Sequence, residues 1–176
     1  MPDPQKITIA AAVAVCRAVE AQTALKPQIK WVNDVYLDGK KVCGILTEAV
    51  TDLESGGIDS IVVGIGVNCA IPAERIPKEL VGIVGSLNAE GLSRSRLAAD
   101  IAAFVLDAFD DLDAPALIDD YRRRSFLFGK EIGFKRKDEA MNGTVTGISD
   151  AGNLLVRLGS GETLSLSSGE VTIGKL

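Results

Sequence analysis

Strand-like runs follow one another closely between residues 28 and 69, and they constrain the fold more than any other feature. The runs cover residues 28–31, 35–37, 41–50 and 60–69. Asp38-Gly39 is a strong hairpin signal because both residues tolerate positive φ. Asn33-Asp34 favours a turn, and so do residues 54–57. Three strands in a row, joined by tight turns, predict an antiparallel meander.

Helical patterns lie on both sides of these strands. Residues 7–23 are rich in alanine and valine and apolar on most faces, which predicts a helix packed inside the domain. A second helix is predicted over residues 93–112 with Ser93 as its N-cap, and a third over residues 114–125. The irregular stretch 70–91 is a long loop, and such loops in compact domains often serve a function.

After residue 130 the pattern changes to short strands separated by glycine-containing turns. The predicted strands are residues 131–135, 143–149, 153–157, 163–165 and 171–173. Short strands at this spacing predict a small β-barrel. The predicted fold class is therefore α+β. A mixed or antiparallel sheet with packed helices would occupy residues 1–128 and the barrel residues 129–176, divided near Phe128-Gly129.

The composition excludes several kinds of chemistry. The chain has no histidine, which removes Ser-His-Asp and Cys-His catalysis and histidine-based metal sites. Cys16, Cys43 and Cys69 form no Cys-x-x-Cys pair, so zinc is not expected, and free thiols in apolar surroundings predict a cytoplasmic protein. The net charge of −5 argues against DNA binding, and no apolar run is long enough to span a membrane.

Three short clusters hold the residues that are suited to chemistry. In the first, Lys30-Trp31-Val32-Asn33-Asp34, a cation, an indole donor, an amide and a carboxylate stand at a strand end. Strand alternation turns Lys30 and Trp31 to opposite faces. A simpler interpretation is also open, since Asn33 and Asp34 are common turn formers.

The second cluster places Lys41 at the start of an apolar strand that has Gly44 in its middle. A lysine there could hold a phosphate or carboxylate oxygen as a point charge. A solvated hairpin lysine is the simpler interpretation of this cluster alone.

In the third cluster Gly64 and Gly66 alternate on one strand face, and Asn68 follows on the same face. Together with Gly44 they would leave a smooth trough for a flat, apolar ligand. Asn68 could read a purine edge with donor and acceptor both in use. The alternative is a bulged or tightly packed strand; the pattern lacks the third glycine of a dinucleotide fingerprint.

The order and spacing of the three clusters resemble the biotin–protein ligase family. Lys-Trp-x-Asn-Asp, Lys-x-x-Gly-Ile-Leu-x-Glu and Gly-Ile-Gly-x-Asn follow one another, and Gly85-Ser86-Leu87 and Ser168-Gly169-Glu170-Val171 extend the resemblance over essentially the whole chain. The chain departs from the family at Val32, where proline is usual. The resemblance implies a class II synthetase-like fold of the biotin/lipoate ligase type, followed by an SH3-like β-barrel.

The family joins the carboxylate of biotin to the α-phosphate of ATP, releases pyrophosphate, and transfers the biotinyl group to a lysine of a biotin carboxyl carrier protein. The resemblance therefore implies ATP and biotin as substrates, Mg²⁺ as the activating ion and the carrier protein as the partner. Two anions must meet in the first step, and preorganised cations make that possible.

The resemblance also implies roles for individual residues. Lys41 would be the main catalytic residue, Lys30 would add charge near the phosphates, and Asp34 would orient these cations or a magnesium ion. Biotin would contact Lys41, Gly44, Leu46, Gly64 and Gly66. ATP would contact Lys30, Asn33, Asn68 and Val84. Either Ile83 or Val84 would cover the adenine, where residues 70–84 resemble the loop that folds over the adenylate.

The family's Gly-Arg-Gly-Arg type loop has no counterpart in residues 1–30. We therefore expect catalysis by these residues alone to be impaired, and a sheet edge and the apolar face of the helix at 7–23 to be exposed. Exposed edges and apolar faces favour association, either of the chain with itself or with the missing segment. A non-catalytic fragment and a lipoate-type ligase are the alternatives.

Overall fold

The computed structural model describes residues 3–51, 58–137 and 139–174. The described residues form three α-helices and two antiparallel sheets, which confirms the predicted α+β class. The helices are α1 (Pro4–Gln22), α2 (Arg94–Phe109) and α3 (Pro115–Arg124). The first sheet holds β1 (Gln28–Lys30), β2 (Asp34–Leu37), β3 (Lys40–Thr51) and β4 (Ile58–Val67). The second holds β5 (Glu131–Arg136), β6 (Glu139–Ile148), β7 (Leu154–Leu158), β8 (Thr163–Leu166) and β9 (Val171–Ile173).

Helix α1 is the centre of the core. Asp3 caps its first turn by accepting a hydrogen bond from the Gln5 backbone N–H, and Pro4 supplies a pre-set φ at the first position. The helix therefore begins before Ile7. Its apolar residues from Ile7 to Val19 are buried, because α2, α3 and the first sheet all pack against it. The expectation that this helix exposes an apolar face is wrong for that reason.

The first sheet has the order β1-β2-β3-β4, as the meander pattern predicts. Residues 31–33 form the first turn, and Asp34 already belongs to β2. Asp38 and Gly39 form the predicted tight hairpin with φ of 50° and 76°. The predicted turn at residues 54–57 lies outside the described residues. Strand β4 pairs only with β3 in the described part of the chain, so its outer edge carries the unpaired backbone groups.

The second sheet has the order β8-β7-β6-β5-β9. Within residues 139–174 the two outer strands, β8 and β9, are not paired with each other, so the closed SH3-like barrel stays a prediction. The sheet shares one continuous core with the helices, and its β6–β7 turn packs against α1. The division near Phe128-Gly129 also stays a prediction. Among the described helices, none has the length and apolar character that crossing a bilayer requires.

Candidate functional site

A glycine-floored depression lies on the solvent-facing side of β3 and β4. Gly44 is paired with Gly66 across the two strands, and Leu46 is paired with Gly64, so all four lie on one face. The depression has a volume of about 490 Å³ and is open to solvent. It is lined by Asn33, Asp34, Lys41, Gly44, Ile45, Leu46, Gly64, Ile65 and Gly66. Seven of the sequence-predicted site residues therefore meet at one place.

The floor is smooth because its glycines have no side chains. A Cβ on Gly64 or Gly66 would have no atom closer than 3.8 Å, so no clash with the protein demands glycine there. What these positions provide is open space above the strands, as a flat ligand needs. Leu46 adds apolar surface to the floor, with 59% of its side chain exposed. An exposed leucine beside bare backbone suits an apolar ring system.

Lys41 and Asp34 form an ion pair at the edge of this floor. The Lys41 Nζ lies 2.6 Å from the Asp34 Oδ1, and both side chains are partly exposed. The lysine side chain lies flat over Gly44, where an added Cβ would be 3.2 Å from its Cε. The absence of a side chain at Gly44 thus permits the ammonium to reach Asp34. A partly exposed pair adds only about 0.2–1 kcal/mol to folding stability. Its main effect is therefore to hold the Lys41 ammonium at the edge of the floor.

The Asn33 side chain has a structural role in addition to lining the depression. Its side-chain Nδ2 donates to the Ile45 carbonyl at 2.7 Å, and the Ile45 N–H donates to the Asn33 carbonyl at 2.9 Å. These bonds bind the first turn to the middle of β3. The turn-former interpretation of Asn33 is therefore compatible with its place in the lining of the depression.

Lys30 stands next to this group on β1, with Asp34 as its cross-strand partner. Lys30 is half-buried and forms no ion pair with Asp34 or with any further residue in the described ranges, and Asp34 is paired with Lys41. Trp31 is buried, as the predicted alternation of faces requires. Lys30 is thus a second cation close to Asp34.

Residues 83–85 run alongside the start of β3. The Lys41 N–H donates to the Ile83 carbonyl and the Gly85 N–H donates to the Lys41 carbonyl, both at 2.8 Å. Asn68 Nδ2 donates to the Gly85 carbonyl at 3.0 Å. A Cβ on Gly85 would lie 2.9 Å from the Lys40 Cβ, so this close approach requires glycine. The backbone of Lys41 is therefore fixed from the loop side as well as from β2.

The residues predicted to contact adenine are not part of the glycine floor. Val84 lines a separate depression beside Lys40, Ile71 and Ile76. Asn68 is absent from the residues that line the floor, and one of its two side-chain N–H groups is engaged by Gly85. A purine contact by Asn68 would therefore use its carbonyl oxygen and its second side-chain N–H.

The sequence analysis missed a network of ion pairs that joins α1 to α3 away from the floor. Buried Asp120 on α3 bonds Arg17, Arg123 and Arg124. Burial pushes the pKa of Asp120 upward, but Arg124 and Arg17 outweigh it and hold that pKa below its usual range. The run of three arginines on α3 was a local signal for this network, since Asp120 lies three and four residues before Arg123 and Arg124, but Arg17 and Glu20 on α1 are more than 100 residues away in sequence.

An apolar groove of about 390 Å³ lies on the opposite face of β4. One wall is formed by Val63, Ile65, Val67 and Cys69, and the other by residues of α2, among them Leu97, Ile101 and Val105. The groove runs beside the open edge of β4. None of its lining residues belongs to α1, where the sequence analysis had expected exposed apolar surface.

Two family models match the chain. The model described as Biotin/lipoate A/B protein ligase family matches residues 5–68, and the one described as Biotin protein ligase C terminal domain matches residues 127–174. The first covers every residue that lines the glycine-floored depression.

Two kinds of bacterial ligase are similar to this chain in sequence. A bifunctional ligase/repressor BirA from Bacillus spizizenii is 32% identical over 164 residues, which are 89% of this chain and 49% of the relative. A biotin–[acetyl-CoA-carboxylase] ligase from Paracoccus denitrificans is 30% identical over 166 residues, 86% of this chain and 65% of the relative. The chain thus spans about half to two thirds of the length of these relatives.

Solved structures of biotin protein ligase from Aquifex aeolicus share the fold. The apo structure has a TM-score of 0.80 at 21% identity, and the match covers 98% of this chain and 76% of that one. A second structure, in complex with biotin and ATP, has a TM-score of 0.79 at 21% identity over 100% of this chain and 74% of that one.

Proposed function

Because the chain belongs to the biotin–protein ligase family, we propose that it carries the catalytic lysine and the biotin floor of a ligase that activates biotin with ATP and transfers it to a carrier protein. The observation that supports this most is the Lys41–Asp34 pair above the floor of Gly44, Gly66 and Gly64. A bicyclic apolar ligand would lie on the floor, and its carboxylate would meet the ammonium at the edge.

The first step would join two anions. A biotin carboxylate oxygen attacks the α-phosphorus of ATP, the bond to the β-phosphate breaks, and pyrophosphate leaves with the electron pair. Lys41 would contact both the carboxylate and the α-phosphate and lower the repulsion between them. Lys30 would add positive charge on the phosphate side. In the second step the neutral amine of a carrier lysine attacks the acyl carbon. AMP leaves, and the lysine nitrogen loses a proton to solvent.

Mg²⁺ would enter with the triphosphate. This ion commonly binds through one or two carboxylates together with substrate phosphates. No group of three His, Cys, Asp or Glu side chains in the described ranges is arranged to hold a metal. Asp34 could contribute one carboxylate, provided that Lys41 turns from it toward the substrate.

The adenine would lie on the side of residues 83–85. Asn68 and Val84 are the proposed ATP contacts there, with Ile83 exposed enough to move over a ring. Asn33 and Lys30 are the proposed ATP contacts on the side of the floor. The ladder between this segment and Lys41 supports the assignment, because it joins the nucleotide side directly to the catalytic lysine.

The test compares Lys41 with an exposed lysine away from both depressions, Lys135 on β5. The purified chain is supplied with biotin, ATP and Mg²⁺, and pyrophosphate release and biotinyl-adenylate are measured. Lys41→Ala should lower the rate at least about a hundredfold, whereas Lys135→Ala should leave it within about twofold, because Lys135 lines neither the floor nor the depression beside Val84. Equal rates for Lys41→Ala and the unchanged chain, or an equal loss in Lys135→Ala, would overturn the assignment.

A lipoate-type ligase is disfavoured by the match of residues 127–174 to the biotin protein ligase C-terminal domain. The two kinds of ligase can be distinguished in the same assay: lipoate in place of biotin should give no acyl-adenylate above background. An excess of lipoate-dependent over biotin-dependent pyrophosphate release would reverse the choice.

A second candidate function is association without catalysis. The open edge of β4 and the apolar groove beside it favour this candidate. If the chain acts only in this way, it should self-associate or bind a further segment of its own protein and release no pyrophosphate. A monomer by light scattering at micromolar concentration, with measurable adenylation, would exclude it.

A further inference from the structure

The turn of residues 31–33 lies between the two charged candidates Lys30 and Asp34. Each of its three residues is hydrogen-bonded to a different part of the chain. The bonds run from Trp31 Nε1 to the Gly152 carbonyl at 2.9 Å, from the Tyr121 hydroxyl to the Val32 carbonyl at 2.9 Å, and from the Ile45 N–H to the Asn33 carbonyl at 2.9 Å. A short turn held at three consecutive residues has little freedom to shift.

The two groups that bond Trp31 and Val32, the Gly152 carbonyl and the Tyr121 hydroxyl, belong to elements that are bonded to each other. Tyr121 lies on α3 and is fully buried, and burial raises the pKa of its hydroxyl, so the group keeps its proton and acts as a donor. The next residue, Arg122, donates to the Ile148 carbonyl at 2.9 Å and to Asp150 at 2.6 Å. These acceptors lie at the start of the same β6–β7 turn that holds Trp31. Helix α3 and the second sheet therefore support residues 31–33 as one unit.

The position of Asp34 sets the position of the Lys41 ammonium. Asp34 follows the turn directly, and its Oδ1 is 2.6 Å from the Lys41 Nζ. We propose that Tyr121 is a positioning residue: by holding the Val32 carbonyl it keeps Asp34, and through Asp34 the Lys41 ammonium, in place over Gly44. The catalytic consequence rests on the proposed function, whereas the effect on the ion pair does not.

The ion pair can be followed without any ligase activity. An ammonium that is bound to a carboxylate must leave it and lose a proton before its nitrogen can attack an acylating reagent. The test is therefore competitive acylation of the folded chain with trace acetic anhydride, with the labelling of Lys41 and Lys40 measured by mass spectrometry. Lys40 is the internal reference, since it is the adjacent and exposed lysine.

Tyr121→Phe should raise the ratio of Lys41 to Lys40 labelling by roughly threefold to tenfold, the factor that the net loss of one hydrogen bond corresponds to. Thr8→Val is the matched control. It removes another buried hydroxyl, which bonds Thr47 and the Pro4 carbonyl and does not touch residues 31–33. Its labelling ratio should equal that of the unchanged chain at a similar loss of melting temperature.

An unchanged labelling ratio in Tyr121→Phe, or an equal rise in Thr8→Val, would overturn the proposal. If Tyr121→Phe does not fold, Trp31→Phe removes a second of the three bonds, the one to the Gly152 carbonyl, and the labelling ratio should again rise. Where adenylation is measurable, its kcat in Tyr121→Phe should fall while KM for biotin stays nearly the same. If adenylation is absent from the unchanged chain, the proposed function fails and the labelling result still decides the role of Tyr121.

Discussion

Replacing Gly44 by alanine would place a methyl group against the side chain of the catalytic candidate. The added Cβ would lie 3.2 Å from the Lys41 Cε, 3.4 Å from its Nζ and 3.8 Å from the Asp34 Oδ1. The first distance is several tenths of an ångström shorter than comfortable contact, so the lysine must move. The far end of a lysine yields easily, and glycine in a strand interior is itself unfavourable by roughly 0.5–1 kcal/mol relative to alanine. The folding stability should therefore change by less than about 1 kcal/mol.

The effect on catalysis should be larger than the effect on folding. A displacement of about 1 Å at a reacting group can cost on the order of a hundredfold in rate, and the expected shift here is a fraction of that. We expect kcat for adenylation to fall by roughly tenfold. The assay is steady-state pyrophosphate release over a range of biotin concentrations, together with a urea unfolding curve to measure stability.

Gly64→Ala provides the contrast. Its methyl would stand on the same face, with the Leu46 carbonyl 3.8 Å away as its nearest neighbour, and would not approach Lys41. It should raise KM for biotin by narrowing the floor and leave kcat nearly unchanged. If Gly44→Ala instead raises only KM and leaves kcat intact, the inference that Gly44 serves the position of Lys41 is refuted.

Two further predictions concern buried groups away from the floor. Asp120→Asn should destabilise the fold by about 3 kcal/mol, because it removes a buried carboxylate from its arginines. The folded pKa of Asp120 is depressed, so its contribution is present above its unfolded pKa of about 3.9 and is lost as pH falls through the folded value. Urea titrations should thus show the difference between the two proteins shrinking below about pH 4, and a constant difference would contradict the assignment. Burial raises the pKa of Cys16 and Cys43 to about 12, so both should resist iodoacetamide at pH 8 until the chain unfolds. Partly exposed Cys69 should react in the folded protein, and equal labelling of all three thiols by mass spectrometry would refute this picture.

The strands and turns of the first sheet could be predicted well because their signals are local. Asp38-Gly39 adopts positive φ at both residues, and the alternation of Gly64 and Gly66 puts both on one face whatever the fold. The ends of elements were less accurate. Helix α1 starts at Pro4 instead of Ile7 because a capping aspartate and a proline extend it, and α2 ends at Phe109 instead of residue 112.

The support of the site could not be predicted in the same way. Tyr121 and Gly152 bond residues 31–33 from 89 and 121 positions away, and neither has a local pattern that marks a partner. The sequence analysis also expected the exposed apolar surface on the wrong element, the helix α1. The composition of α1 shows that it must be covered, but only the packing of three elements around it shows that the groove beside β4 is the face that remains.

By itself the sequence determined which residue types could do the chemistry and which strand faces they occupy. With no histidine present, lysine and carboxylate remained, and the period-2 geometry of a strand placed Gly44, Leu46, Gly64 and Gly66 on one surface. The tertiary structure alone decided that Asp34 meets Lys41 at 2.6 Å and that α3 and the second sheet hold the intervening turn. The reason is physical: strand alternation depends only on neighbouring residues, whereas a hydrogen bond between distant residues exists only once the core has brought their backbones together.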